Sequence, residues 1–333
     1  MARVGKDLPI DREQLEALCA QTLDETNFSP DLGDRITGKV RDSYVDPERA
    51  PGRRTIVVSD RVSCFDRVVG TIPLKGQVLN QMAAFWFEQT REIARNHLIE
   101  VPDPSVSIVQ ECRTLPVEFV MRGYLTGSTS TSIWTAYERG ERLYCGHSLS
   151  DGMHRHEKLA KPLLTPTTKA AQGDHDELTS RDELLRAGVL PEALYDEAHD
   201  IAQRLFAEGT RFAEKQGLIL VDTKYEMGLD DDGRVIVIDE IHTPDSSRYW
   251  RRDGYERALA RGESPQAIDK EYVRLWLGDQ GYHGEGTPPA LPIDVRVTAA
   301  TRYIDAFERI SGQPFEPDLE PPVARIERNL SLG

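Results

Sequence analysis

Long apolar runs are missing from this sequence, and so is any excess of basic charge. No stretch approaches the roughly 20 consecutive apolar residues that span a bilayer, and MARVGKDLPIDREQ lacks the apolar core of a secretory signal. A soluble, cytoplasmic protein with no membrane partner is the expectation. Acidic residues outnumber basic ones 56 to 41 and the formal net charge is −15, which speaks against the basic stripe that nucleic-acid binders need to release counterions. An anionic ligand must therefore meet a local basic pocket. Cysteine is scarce: Cys19, Cys64, Cys112 and Cys145 are scattered, with no CxxC pair and no framework spacing, which excludes a disulfide-stapled scaffold and suits a reducing compartment. His147, His154 and His156 with Cys145 fit no standard zinc spacing. There is no internal repeat, no long low-complexity tract and no Walker loop.

What is present is ample for two domains, since 333 residues with 39% apolar content can bury a sizeable core. Leu15, Leu18, Cys19 and Leu23 share one helical face and predict a helix over 12–23. ITGKVRDSYV and RRTIVVSD, separated by DPERAPG, read as an antiparallel strand pair. GQVLNQMAAFWFEQTREIAR is amphipathic and helical, VSIVQEC and VEFVMRGYL read as strands, and a helix over about 130–139 stops at Gly140. Residues 181–216 read as helix interrupted near Gly188 and Pro191. GLILVDTKYEMGL and RVIVIDEI form a second strand pair, and helices over about 266–277 and 295–311 close the chain.

The second strand pair carries acidic chemistry. Asp232-Gly233 suits a two-residue type I′ turn, which places Glu226 directly opposite Asp239 with Lys224 on the same face as Glu226. Facing carboxylates repel unless compensated. A divalent cation such as Mg²⁺ accounts for the pair; a solvated acidic edge, or a simple Glu226–Lys224 contact, accounts for it as well. The following HTPDSSRYW supplies Asp245, two serine hydroxyls and Arg248, read either as an anion fork or as a helix cap at Thr243 or Asp245. Lys39 and Arg41, at alternate positions of TGKVRDSY, point two cations to one face beside Gly38, read either as a polyphosphate contact or, in preference, as an exposed basic strand. Arg122 precedes Gly127 and Ser128 where a strand gives way to a helix, and Lys75-Gly76 opens another helix; each is a candidate anion site or an ordinary turn. TPTTKAAQGDHDE, with Lys169 and Asp176, has neither helical nor strand period and reads as a polar loop.

In this order GKVRDSY, SDRVSCFD, IPLKGQVLN, LPVEFVMRGYLTGS, TPTTKAAQGDHDE, LVDTKYEMG and DEIHTPDSSRYW resemble the SAICAR synthetase family, the phosphoribosylaminoimidazole-succinocarboxamide synthases of purine biosynthesis. The likeness runs over about residues 28–315. One departure is Glu226-Met227-Gly228 where the family has Glu-Phe-Gly. The resemblance implies a mixed α+β or α/β fold related to ATP-grasp enzymes: a largely antiparallel N-terminal domain (1–117), a central α/β domain (118–255) and C-terminal helices (256–333). It implies ATP-dependent ligation of L-aspartate to the carboxylate of carboxyaminoimidazole ribonucleotide (CAIR), through an acyl phosphate. Lys39, Arg41 and Lys75 would then bind ATP, and Glu226 and Asp239 would hold Mg²⁺. Arg122, Ser128, Asp245 and Arg248 would bind substrate, with Lys224, Lys169 and Asp176 near the chemistry. Monomer and homodimer both stay open. A different carboxylate–amine ligase, or a nucleotide sensor without the chemistry, is the rival expectation.

Overall fold

The chain is described from a computed structural model, which covers residues 9–129, 131–168, 177–268 and 271–332. Lys169 and Asp176 lie outside the described residues. Helix α1 (Arg12–Leu18) opens with a capping box, in which Asp11 accepts from the Gln14 N–H and the Gln14 side chain accepts from the Asp11 N–H. It stops short of Leu23, whose N–H donates instead to the buried Asp60 carboxylate at 2.9 Å. A short α2 (Ser29–Leu32) leads into the first sheet.

That sheet is antiparallel and contains β1 (Asp34–Thr37), β2 (Arg41–Val45), β3 (Arg53–Val58), β6 (Leu98–Asp103) and β7 (Val106–Gln110), in the order β1-β2-β3-β7-β6. Between β3 and β6 come the hairpin β4 (Arg61–Cys64) and β5 (Arg67–Thr71), then α3 (Lys75–Gln89). DPERAPG joins β2 to β3 as expected, with Val45 facing Arg54. ITGKVRDSYV is itself a hairpin: Gly38 donates to the Arg41 carbonyl at 2.8 Å, so residues 38–40 form a turn and Lys39 lies on that turn, not on a strand.

After Gln110 the chain changes sheet. The second sheet contains β8 (Arg113–Tyr124), β11 (Lys158–Thr168), β12 (Glu177–Leu178), β13 (Leu218–Leu229), β14 (Val235–Ile238) and β15 (Ser247–Arg251). Its order is β12-β11-β8-β13-β14, with β15 also paired to β13. Intervening chain forms α4 (Ile133–Glu138), the small pair β9 (Leu143–Tyr144) and β10 (His147–Ser148), α5 (Arg181–Arg186) and α6 (Glu192–Lys215), and α6 packs on β13 and β8. The tail holds α7 (Tyr255–Arg261), α8 (Glu271–Asp279), α9 (Ile293–Ser311) and α10 (Pro322–Leu330). α9 lies against α1 and α3, and one apolar cluster joins Val58, Trp86, Phe119, Tyr225 and Ile304. The two sheets and the tail thus share a core, which fixes the cleft between them.

Two expectations give way here. No helix starts at Thr243 or Asp245; Thr243 Oγ1 accepts the Asp245 and Ser246 N–H groups at 3.3 and 3.2 Å in a turn, and the chain enters β15, with Tyr249 and Trp250 buried. The strand pair β13–β14 is present, but its register differs by one. Asp230 Oδ1 captures the N–H groups of Asp232 and Arg234 at 3.0 and 2.8 Å and Gly233 takes the left-handed φ of 77°. The turn is therefore longer than two residues, Leu229 faces Val235, and Glu226 faces Ile238.

Candidate active site

Along β13, Asp222, Lys224 and Glu226 alternate with Thr223, Tyr225 and Met227. The second set is buried in the core, so the charged set falls on the other face. Met227 points away from Glu226, and the departure from Glu-Phe-Gly leaves the charged face alone. Although Glu226 does not oppose Asp239, it does oppose a carboxylate: its partner on β8 is Glu118. Lys224 Nζ lies 2.7 Å from both Glu118 Oε1 and Glu226 Oε1, so the lysine supplies the compensation. Thr167 also donates to Glu118 at 3.2 Å.

Asp239 sits just past β14, where its backbone takes a left-handed φ of 69°. Arg41 forms ion pairs with both Asp239 and Glu240, linking β2 of the first sheet to the loop of the second. Burial lowers the pKa of both cations, but neighbouring carboxylates outweigh it. Asp239 and Glu240 drive Arg41 upward, and Glu226, Glu118 and Asp239 do the same for Lys224. Both stay charged. Beneath them His97 is pushed down to about 3 by burial and by the Arg41 charge, so it is neutral.

Lys224, Glu226, Asp239, Glu240, Lys39, Arg41 and Asp245 all line one cleft of about 630 Å³ between the sheets. Its turn 38–40 is fixed from behind by the buried Arg61, which donates to the carbonyls of Lys39 and Gly38 at 3.0 and 3.2 Å. Lys39 is exposed and paired with Asp66 at 2.7 Å. Ile36, Ile56, Val109 and Ile238 form an apolar part of the wall, near the bidentate Arg54–Glu111 pair at 2.6 and 2.7 Å. Lys75 does not line this cleft. It is fully buried, 2.9 Å from Asp245, which also accepts from the Tyr303 hydroxyl at 2.7 Å. Lys75 thus anchors a cleft residue from the interior.

Further along β13, Asp222 is paired in register with Arg122 on β8 and Arg248 on β15. The guanidinium groups lie 3.8 and 3.6 Å from the Asp222 carboxylate, and Arg122 also donates to Thr165 at 2.9 Å. Two arginines predicted separately therefore converge. Ser128 is exposed beyond the end of β8. Sequence reasoning missed Glu118 and Asp222 and gave Glu240, beside Asp239, no role. A charged residue inside an apolar strand marks Glu118, and the i, i+2, i+4 run with Lys224 and Glu226 marks Asp222.

Among the described residues no three His, Cys, Asp or Glu side chains are gathered as a ready-made metal site. The donors nonetheless fit a hard divalent ion in type and charge: Glu118, Glu226, Asp239 and Glu240 set four carboxylates against the two cations Lys224 and Arg41.

A family profile described as SAICAR synthetase matches residues 34–289. The chain belongs to the SAICAR synthetase family. Among curated members, a putative phosphoribosylaminoimidazole-succinocarboxamide synthase 2 of Agrobacterium fabrum is 47% identical over 303 residues, covering 90% of this chain and 95% of the relative. The synthase of Legionella pneumophila is 46% identical over 309 residues, with 92% and 97% covered. The chloroplastic synthase of Arabidopsis thaliana is 46% identical over 315 residues, with 93% and 75% covered. Of solved structures, the SAICAR synthase of Saccharomyces cerevisiae complexed with SAICAR superposes with a TM-score of 0.76 at 28% identity, covering 89% of this chain and all of that one. The mixed α/β, largely antiparallel fold expected for a SAICAR synthetase is therefore the fold found. Among the described residues no helix is long and apolar enough to cross a membrane.

Proposed function

We propose that the chain joins L-aspartate to the carboxylate of CAIR, with ATP cleaved to ADP and phosphate, to give SAICAR for purine synthesis. The observation that carries this reading is β13 itself: its one charged face runs from the Arg122–Asp222–Arg248 group to the Lys224–Glu226 end of the inter-sheet cleft. Two anionic substrates can therefore be held end to end with a lysine at their junction. The adenine ring would lie over Ile36, Ile56, Val109 and Ile238, and Lys39 and Arg41 would meet the phosphates. Arg122 and Arg248, with Ser128 at the edge, would hold the CAIR phosphate by charge-assisted hydrogen bonds.

A carboxylate is a poor acyl donor. Transfer of the γ-phosphoryl group to the CAIR carboxylate makes an acyl phosphate, and the aspartate amine then attacks the acyl carbon, forming the amide and releasing phosphate. Lys224, 2.7 Å from Glu226 on this face, would neutralise charge on the transferring group. Glu226 and Asp239 would hold Mg²⁺, which when bound neutralises charge building on the transferring phosphoryl group. Asp245, held by Lys75 and Tyr303, shapes the wall; Lys75 acts on the nucleotide only through it. Lys169 and Asp176 are retained as further contributors from their sequence motif. Four free thiols suit a reducing cytoplasm, the setting we propose.

ADP release should require CAIR and be completed by L-aspartate among the amino acids. Release that ignores CAIR would overturn the reading. Asp239→Asn combined with Glu226→Gln should abolish Mg²⁺-dependent turnover while the circular dichroism spectrum is kept; full activity in that variant would remove the metal assignment.

A further inference from the structure

The loop from Asp239 to Ser246 brings Asp239, Glu240, Asp245 and Ser246 to the cleft, yet its backbone is costly. Asp239 and His242 both hold left-handed φ angles, 69° and 57°, a region that non-glycine residues seldom occupy. Something must over-determine that conformation. The contacts of His242 do so from below. Its side chain is fully buried and its Nε2 shares a 2.6 Å hydrogen bond with the Tyr225 hydroxyl. The ring stands edge-on to Trp86, centroids 4.5 Å apart, and its backbone carbonyl accepts from the Tyr249 hydroxyl at 2.8 Å. Space for the ring exists only because α6 carries glycine at 209: a Cβ there would lie 2.5 Å from His242 Cε1. Tyr225 in turn occupies β13 between Lys224 and Glu226, so one contact ties the loop to the neighbouring strand that carries Glu226.

We propose that His242 is a positioning residue for metal–nucleotide binding: its ring, seated on Gly209 and bonded to Tyr225, sets the backbone that turns Asp239 into the cleft beside Glu226. This rests on the reading of Asp239 and Glu226 as the metal carboxylates. Side chains that orient metal ligands from behind commonly change metal affinity by about 10–100-fold when removed. His242→Asn separates two explanations, because asparagine accepts the left-handed conformation but is too short to reach Tyr225. His242→Gln places an amide where Nε2 was and can restore the bond.

Binding of Mn²⁺ in the presence of ADP, followed by electron paramagnetic resonance, reads the effect without turnover, and the Mg²⁺ concentration for half-maximal rate and KM for L-aspartate accompany it. His242→Asn should weaken Mn²⁺ binding about tenfold, with the Mg²⁺ requirement rising in step and KM for aspartate little changed; His242→Gln should recover part of the loss. Gly209→Ala, which keeps every hydrogen-bonding group of the loop, should weaken Mn²⁺ in the same direction and decides the matter if the His242 variants do not fold. Unchanged Mn²⁺ affinity in these variants, or equal losses in metal and aspartate parameters, overturns the inference. Asp239→Asn is the control: if it too leaves Mn²⁺ binding unchanged, the metal reading has failed, whereas weakening there alone leaves that reading intact and rejects only the role of His242.

Discussion

Lys224, like Arg41, holds two carboxylates of the site. It separates Glu118 from Glu226, which face each other across β8 and β13, and is about one-third exposed. Losing one partner of a buried ionic group costs about 3–5 kcal/mol because charge is left uncompensated; solvent screening at this position brings the expectation down to about 1–3 kcal/mol. Lys224→Met should therefore lower the unfolding free energy measured in urea by that amount, and added Mg²⁺ should raise the midpoint of the variant more than that of the parent. A variant as stable as the parent, with no added response to Mg²⁺, would show that the carboxylates are compensated by other means. At this scale the sequence exposed much of the site: Lys224, Glu226, Asp239, Arg122 and Arg248 were all nameable from pattern. Lys75 was misplaced because a Lys-Gly pair opening a helix looks the same whether the lysine faces solvent or, as here, lies buried beside Asp245.

Elements show where local pattern stops deciding. The β13–β14 pair was legible from alternation and an Asp-Gly signal, but its register turned on Asp230 capturing two N–H groups, which moved every facing pair by one residue. β15 was hidden because Thr-Pro-Asp-Ser-Ser looks like a helix start, and only burial of Tyr249 and Trp250 makes SRYWR a strand. α10 was not foreseen, and long-range contacts explain why it forms. Arg325, 1% exposed, donates to both oxygens of the fully buried Asp103 at 2.8 and 3.1 Å and to Ser105 at 3.0 Å, while Asn329 donates to the same carboxylate at 2.8 Å. Ile326 adds the helix to a small core with Leu23, Tyr44, Val57 and Val106. Arg325→Ala strands the Asp103 charge and should cost about 3–5 kcal/mol in chemical denaturation. The Asp103→Ala, Arg325→Ala pair should recover part of that loss; a double variant that is strictly additive would mean the ion pair is not what docks α10.

For the whole molecule, three buried imidazoles and one buried carboxyl set opposing responses to acid. Burial pushes His97 and His242 down to about 3 and His156 to about 4, from 6.5, with the Arg41 charge adding to His97 and those of Arg155 and Arg248 to His156. Burial raises Asp60 from 3.8 to about 6, partly offset by the Gly76 and Leu23 N–H groups it accepts. The signs differ. A histidine whose folded value is depressed binds its proton in the unfolded chain first, so its contribution is present above about 6.5 and is lost as pH falls toward 3–4. Asp60, raised on folding, works the other way and favours the folded state as pH falls from about 6 toward 3.8. Near pH 5 the unfolded chain holds about three more protons on these histidines and the folded chain about one more on Asp60, a net difference of roughly two, or about 2.7 kcal/mol per pH unit. The histidines win. The urea midpoint, and with it the unfolding free energy, should therefore fall steadily from pH 6.5 to pH 5, and replacing Asp60 with Asn should steepen the fall in free energy by about one proton's worth, near 1.4 kcal/mol per pH unit. A midpoint that holds level or rises over that interval would mean that at least two of the three imidazoles take up protons within the folded protein.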